Sequence, residues 1–89
     1  MHIPYFTKYR TQSISKSEIK ELRINEKGSA IIHYKSGSIY QGGINQLKNK
    51  EGFGIQKWPD GALYEGIWRN DQANGKGIFF LPNGDYYEG

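Results

Sequence analysis

Glycine-x-glycine segments, histidines, and a spaced series of tyrosines and tryptophans are the residues of this sequence that could carry chemistry. Gly52-Phe53-Gly54 and Gly75-Lys76-Gly77 offer the backbone N–H groups that phosphate loops use. A phosphate loop also needs Gly-x-x-x-x-Gly-Lys-Ser/Thr spacing ahead of a helix, and neither segment has it. They read as strand glycines. His2 and His33 have no second histidine or cysteine at metal-ligand spacing, and the chain contains no cysteine at all. Nothing resembles a nucleophile elbow or a paired-carboxylate site. The sequence thus predicts no catalytic residue, no metal site and no cofactor. The aromatic residues Tyr40, Trp58, Tyr64, Trp68, Phe79 and Tyr87 remain, and such side chains supply large contact area at low entropic cost.

What must position these rings is a repeat. Tyr40-Gln41-Gly42, Tyr64-Glu65-Gly66 and Tyr87-Glu88-Gly89 recur at steps of 24 and 23. Gly52-Phe53-Gly54 returns as Gly75-Lys76-Gly77 and Trp58-Pro59-Asp60-Gly61 as Leu81-Pro82-Asn83-Gly84, both at a step of 23. Separate landmarks holding one period identify a tandem supersecondary unit. A degenerate copy precedes them, with Gly28-Ser29-Ala30 at the Gly-x-Gly position and Lys35-Ser36-Gly37 at the turn position.

These landmarks resemble the MORN (membrane occupation and recognition nexus) repeat family. Ala62-Leu63-Tyr64-Glu65-Gly66-Ile67-Trp68 followed by Gly75-Lys76-Gly77 matches its Tyr-x-Gly-x-Trp, Gly-x-Gly pattern. The copy from Tyr40 departs from it, with Ile44 where tryptophan is usual, and the copy from Tyr87 stops at Gly89. The resemblance implies an aromatic groove that accepts an extended or helical segment of a partner protein. It also implies a non-catalytic scaffold in a cytoskeletal, ciliary or axonemal assembly. Its alternatives are peripheral binding to acidic phospholipid membranes, or service as the repeat appendage of a longer enzyme.

The turn chemistry sets a register. Proline fixes φ at the second turn position, and Asp or Asn followed by Gly completes a tight hairpin. Strands are expected near residues 29–35, 38–43, 52–58, 62–68, 75–81 and 85–87. If Trp58 pairs with Ala62, then Gln56 faces Tyr64, Gly54 faces Gly66 and Gly52 faces Trp68, all on one side. The next hairpin sets Phe79 against Tyr87 and Gly77 against Gly89. Rings alternate with glycines on this face, expected to be the concave one, and each ring can lie flat where no Cβ intervenes. The rings either serve packing alone or also line the partner groove. The structural glycines are then Gly42, Gly52, Gly54, Gly61, Gly66, Gly75, Gly77 and Gly84. The other face collects Ile31, Ile39, Phe53, Ile55, Leu63, Ile67, Ile78 and Phe80, interrupted by Lys57, Glu65, Lys76 and Glu88.

The expected fold is all-β: an elongated, twisted antiparallel sheet of tandem hairpins behind a short irregular or partly helical N-terminal segment. Residues 1–20 form that segment, 21–39 the degenerate copy, 40–63 and 64–86 full repeats, and 87–89 the start of another. Ser15-Lys16-Ser17-Glu18 fits a capping box with Ile14 and Ile19 as its staple, so one helical turn over 16–20 competes with strand from Ile19 to Ile24, strand being favoured over 21–24. Tyr5, Phe6 and Tyr9 form an aromatic cluster beside Lys8 and Arg10 that could dock on the terminal hairpin or on a partner.

Charge narrows the partner class. Residues 1–35 hold seven Lys/Arg against three Glu, whereas 36–89 hold five against six acidic residues. The repeats are near neutral, which speaks against nucleic acid and leaves lipid as the second choice after protein. With no apolar run long enough to span a bilayer and no signal-peptide pattern, the expected location is intracellular and cytoplasmic. The strand begun at Tyr87 leaves an edge that further repeats or another chain would cover, and a longer array is the favoured reading.

Overall fold

The computed structural model describes residues 16–89. The aromatic cluster at residues 5–9, His2, and the Ile14 and Ser15 half of the capping box lie outside them. A single 3-10 turn, Lys16–Glu18, leads directly into strand, so the helical alternative is reduced to that turn and extended structure begins at Ile19. The strands are β1 (Ile19–Ile24), β2 (Ser29–Tyr34), β3 (Ile39–Ile44), β4 (Lys50–Lys57), β5 (Leu63–Arg69), β6 (Gln72–Phe80) and β7 (Tyr86–Glu88). They form one sheet in sequential order, each pairing antiparallel with the next.

The turns explain why the order is so simple. At Tyr34–Ser38, Trp58–Ala62 and Leu81–Asp85 the first residue's N–H donates to the carbonyl of the last. In each, a glycine N–H donates back to the first residue's carbonyl. Those glycines, Gly37, Gly61 and Gly84, have φ of 98°, 99° and 97°, a left-handed conformation that side chains resist. The degenerate copy therefore makes the same turn as its successors, although Lys35-Ser36 replaces the proline pair. On the opposite edge, Asn25 and Asn45 start turns of the same hydrogen-bond pattern. Each uses its side-chain Oδ1 to accept two backbone N–H groups, as Asx turns do. Lys48 takes the left-handed position there, with φ 66°.

The predicted register holds: Gln56 faces Tyr64, Gly54 faces Gly66, Gly52 faces Trp68, and Phe79 faces Tyr87. Gly77 and Gly89 exchange both backbone hydrogen bonds at 2.8 and 3.0 Å. One expectation needs correction. β4 and β6 begin earlier than their Gly-x-Gly landmarks, at Lys50 and Gln72. The β5–β6 connection shrinks to Asn70-Asp71, with φ of 50° and 69°. Asn and Asp tolerate that conformation and close a two-residue turn whose twist matches the strands.

Alternation then divides the sheet into two faces. Ala30, Ile32, Tyr34, Tyr40, Trp58, Ala62, Tyr64, Trp68 and Phe79 are buried on one, with Leu22, Ile44, Ala73, Leu81 and Tyr87 packed around them. The other carries Ile31, Phe53 and Ile67 exposed and Ile39, Ile55, Leu63, Ile78 and Phe80 half-buried.

Candidate binding surfaces

The ring face is built by one device used twice. Gly42 faces Gly54, and Gly66 faces Gly77. A Cβ on Gly54 would stand far inside van der Waals contact of the Tyr40 ring, and one on Gly77 would do the same to Tyr64. Each tyrosine thus lies across the bare backbone of the following strand. Its hydroxyl donates to a carbonyl three residues on, Tyr40 to Gly43 at 2.7 Å and Tyr64 to Ile67 at 3.2 Å. Burial pushes both phenols above the ordinary tyrosine range, and Tyr34 with them.

Trp68 stands between the two tyrosines. Its ring meets Tyr40 at 5.5 Å and Tyr64 at 5.3 Å, both edge-to-face, the arrangement that the ring quadrupoles favour. Its Nε1 donates to Gly54 O at 3.1 Å. Space for the indole comes from its cross-strand neighbours, Gly52 on one side and Ala73 on the other. Trp58 and Phe79 make a further edge-to-face pair at 5.9 Å.

Against the same cluster sits a residue that the sequence reading overlooked. Lys50 is buried, with its Nζ 4.4 Å from the Trp68 ring centroid, 5.4 Å from Tyr34 and 5.5 Å from Tyr40. The ammonium donates to Gln56 Oε1 at 3.1 Å, and Gln56 is itself buried. Burial pulls the amine down to about 8, opposed by the Asp71 carboxylate. Asp71 also clips the backbone: its Oδ1 accepts the Lys50 N–H at 2.6 Å, and its own N–H donates to Lys50 O at 3.1 Å. Lys16 reaches Asn49 and Asp71 from the N-terminal side. A strand lysine normally reads as solvated. The sequence signal lay in the register: Lys50 and Ala73 are one repeat apart, and Ile44 stands where Trp68 stands one repeat later.

The structure brings all of Tyr40, Trp58, Tyr64, Trp68, Phe79 and Tyr87 to one face. It also shows them closed, where a partner groove would need open rims. Tyr40 and Phe79 are 0% exposed, Tyr64 1%, Trp68 4% and Trp58 8%, so the rings are core, and Tyr87 alone is half-buried. The reason is that a ring lying on glycine backbone is covered below by the strand and at its edges by neighbouring rings. Of the glycines named with them, Gly42, Gly54, Gly66 and Gly77 lie beneath or beside these tyrosines, and Gly52 faces Trp68. Gly61 and Gly84 make turns, and Gly75 lies within β6.

The open surface is the mixed face. Phe53 and Ile67 pair across β4 and β5 at 60% and 42% exposure. They form a shallow depression with Ile78, rimmed by Glu65, Lys76 and Glu88. Ile55 faces Glu65 and Ile78 faces Glu88, as the register predicted. Tyr86 continues the apolar surface beyond Phe80, at 61% exposure. Among the described residues no three His, Cys, Asp or Glu side chains gather where they could hold a metal ion, and no helix is long and apolar enough to cross a membrane.

A glycine-bedded tyrosine at a period of about 23 residues, with a tryptophan four residues later, is a family signature, and the MORN repeat family matches residues 48–63 and 64–86. Over residues 48–86 the chain is similar to MORN repeats. Alsin from mouse, from chimpanzee and from human is each 47% identical to the chain over 32 residues, which is 36% of this chain and 2% of Alsin. The chain thus spans about 2% of the length of the curated relatives it matches. MORN repeats occur generally in membrane-associated or protein-binding proteins, and the match is to a repeat family, not to a catalytic one.

Proposed function

We propose that this chain is a non-catalytic protein-interaction scaffold, and that it takes its partner on the mixed face of the sheet. The observation that carries the reading is the exposed pair Phe53 and Ile67, continuous with Ile78 and framed by Glu65, Lys76 and Glu88. Aromatic and aliphatic side chains at the centre with charges at the rim are the anatomy of a protein-binding patch. A rim of two carboxylates and one lysine suits a protein segment better than an anionic lipid surface, which calls for a basic cluster. The ring face supports the reading indirectly, because its packed aromatics hold the strands rigid behind the patch. A helical or extended segment of the partner fits this surface. The cytoskeletal or ciliary setting rests on the family resemblance alone.

The test is affinity capture with the intact chain, the Phe53→Glu/Ile67→Glu variant and a Lys27→Glu control in the exposed β1–β2 turn, with folding followed by circular dichroism. Partners retained by the chain and the control but lost by the double variant support the patch. Unchanged capture by a folded double variant overturns it. Salt-sensitive sedimentation with acidic vesicles, together with no protein capture, would replace the reading by a membrane one.

A further inference from the structure

The ring face is shut from water, although the described elements are one sheet and one 3-10 turn. The apolar face of a sheet closes when a second layer is laid on it. Over Trp68 and Tyr40 part of that layer is visible, because the Tyr34 ring and the Lys50 side chain meet there. Tyr64 on β5 and Phe79 on β6 are shut just as completely, with buried Gln56 opposite Tyr64.

The chain ahead of β1 is led onto this face. Glu18 O accepts the N–H of Lys35 in the Tyr34–Ser38 turn, whereas Lys16 reaches Asn49 and Asp71 at turns of the opposite edge. Asp71 lies toward the ring side: after burial itself, its carboxylate helps to push up the phenols of Tyr34 and Tyr40. The 3-10 turn thus heads across the rings. Residues 1–15 hold Tyr5, Phe6 and Tyr9 with Lys8 and Arg10 and no acidic residue, while residues 36–89 hold six acidic residues against five basic ones. Extended chain from residue 5 to Lys16 spans up to about 36 Å. The strands from β3 to β7, set about 4.8 Å apart, cover only ~19 Å.

We propose that residues 1–15 of this same chain are the second layer, with Tyr5, Phe6 and Tyr9 laid on Tyr64 and Phe79. Tethering at Lys16 gives the segment an effective concentration on the order of millimolar at the rings. It therefore fills the ring face ahead of any outside segment, and a partner reaches the rings only by displacing it. The mixed face stays open, so this inference stands beside the Phe53 patch and does not rest on it.

The experiment is aromatic NOE spectroscopy on the intact, isotope-labelled chain. Cross-peaks from the rings of Tyr5, Phe6 and Tyr9 to those of Tyr64 and Phe79 are expected, unchanged on dilution. Cross-peaks to Phe53 or Ile67 instead, or none to either face, overturn the proposal. In a mixture of labelled and unlabelled chains, isotope-filtered cross-peaks of the expected kind would make the occupant a second copy and overturn it too. A second measurement uses Trp58 and Trp68, the chain's two tryptophans, both buried on the ring face. In the Phe6→Ser/Tyr9→Ser variant their emission should move to longer wavelength and acrylamide quenching should rise, with the strand signal in circular dichroism retained. Unchanged quenching in a folded variant overturns the proposal, and if the variant does not fold, the NOEs of the unaltered chain decide. Both readouts lie on the ring face, so their failure leaves the Phe53 patch standing, and loss of that patch leaves this inference standing.

Discussion

Two copies of the repeat meet the same packing problem with different residues. In the second, Trp68 faces Ala73; in the first, Ile44 faces Lys50. The ladder is irregular at the same place in both, immediately after Gly66 and after Gly42. One pair sets a large ring against a methyl group, and the other a mid-sized aliphatic against a long stem. What the repeat conserves is therefore backbone path and filled volume, not residue identity. Lys50 is tolerated because its ammonium finds Gln56 Oε1 and the faces of three rings, with Trp68 of the next copy nearest. The first copy thus borrows the second copy's tryptophan, and the two are stabilised jointly, as neighbours in a repeat array are.

The most damaging way to break this pairing is Trp68→Ala. It removes the contacts to Tyr40 and Tyr64 and the bond to Gly54 O, and it strips the ring from over Lys50. A loss of about 3–5 kcal/mol is expected in urea unfolding. A cost below about 1 kcal/mol would mean that the copies are energetically separate.

The second test is pH. The Lys50 amine titrates at about 8 in the folded chain and near 10.5 when unfolded, so between these values the unfolded chain holds more protons. Stability should then rise as pH increases from about 8 toward 10.5, by as much as ~3 kcal/mol. Above the ordinary tyrosine range the buried phenols of Tyr34, Tyr40 and Tyr64 act oppositely: they stay protonated while unfolded tyrosines ionise, and stability falls. A maximum near pH 10 follows. Lys50→Met should flatten the rising limb and keep the falling one. A rising limb that survives in Lys50→Met would assign it to another group.

A third change converts one copy toward the other. Ile44→Trp beside Lys50 overfills the site and should cost ~1–3 kcal/mol. Combined with Lys50→Ala it recreates the Trp68–Ala73 pair, and the double variant should exceed the sum of the single changes by about 1 kcal/mol or more. Strict additivity would show that the two positions do not share a volume. The smallest effect belongs to the turns. Lys48 holds φ 66° where the corresponding turn of the degenerate copy has Gly28 at 84°. Lys48→Gly should raise stability by up to ~1 kcal/mol, measured by thermal unfolding, and a decrease would indicate that Lys48 makes a contact worth more than its backbone strain.

These comparisons also locate what could be read without coordinates. The period carried by Tyr64-Glu65-Gly66 and Trp58-Pro59-Asp60-Gly61 determines strand order, turn positions and register, because a tight turn fixes which residues face each other and a strand's side-chain period is two. The same arithmetic determines that the rings of Tyr40, Tyr64 and Trp68 share one face and that Phe53 and Ile67 share the other. It does not determine which face closes. That was settled by contacts between strands that are not neighbours, such as Trp68 of β5 on Tyr40 of β3, which cover rings that a local reading leaves half open. The short Asn70-Asp71 turn is legible in residue type, but the Gly-x-Gly landmark at 75–77 places the next strand later than it begins. Burial of Lys50 is signalled only by its register one repeat before Ala73, since a lysine in a strand is ordinarily solvated and only the surrounding rings and Gln56 make its burial tolerable. Local chemistry thus determined the pairing of the backbone. Only the tertiary packing decided where water is excluded, because exclusion depends on the summed volume of residues far apart in the chain.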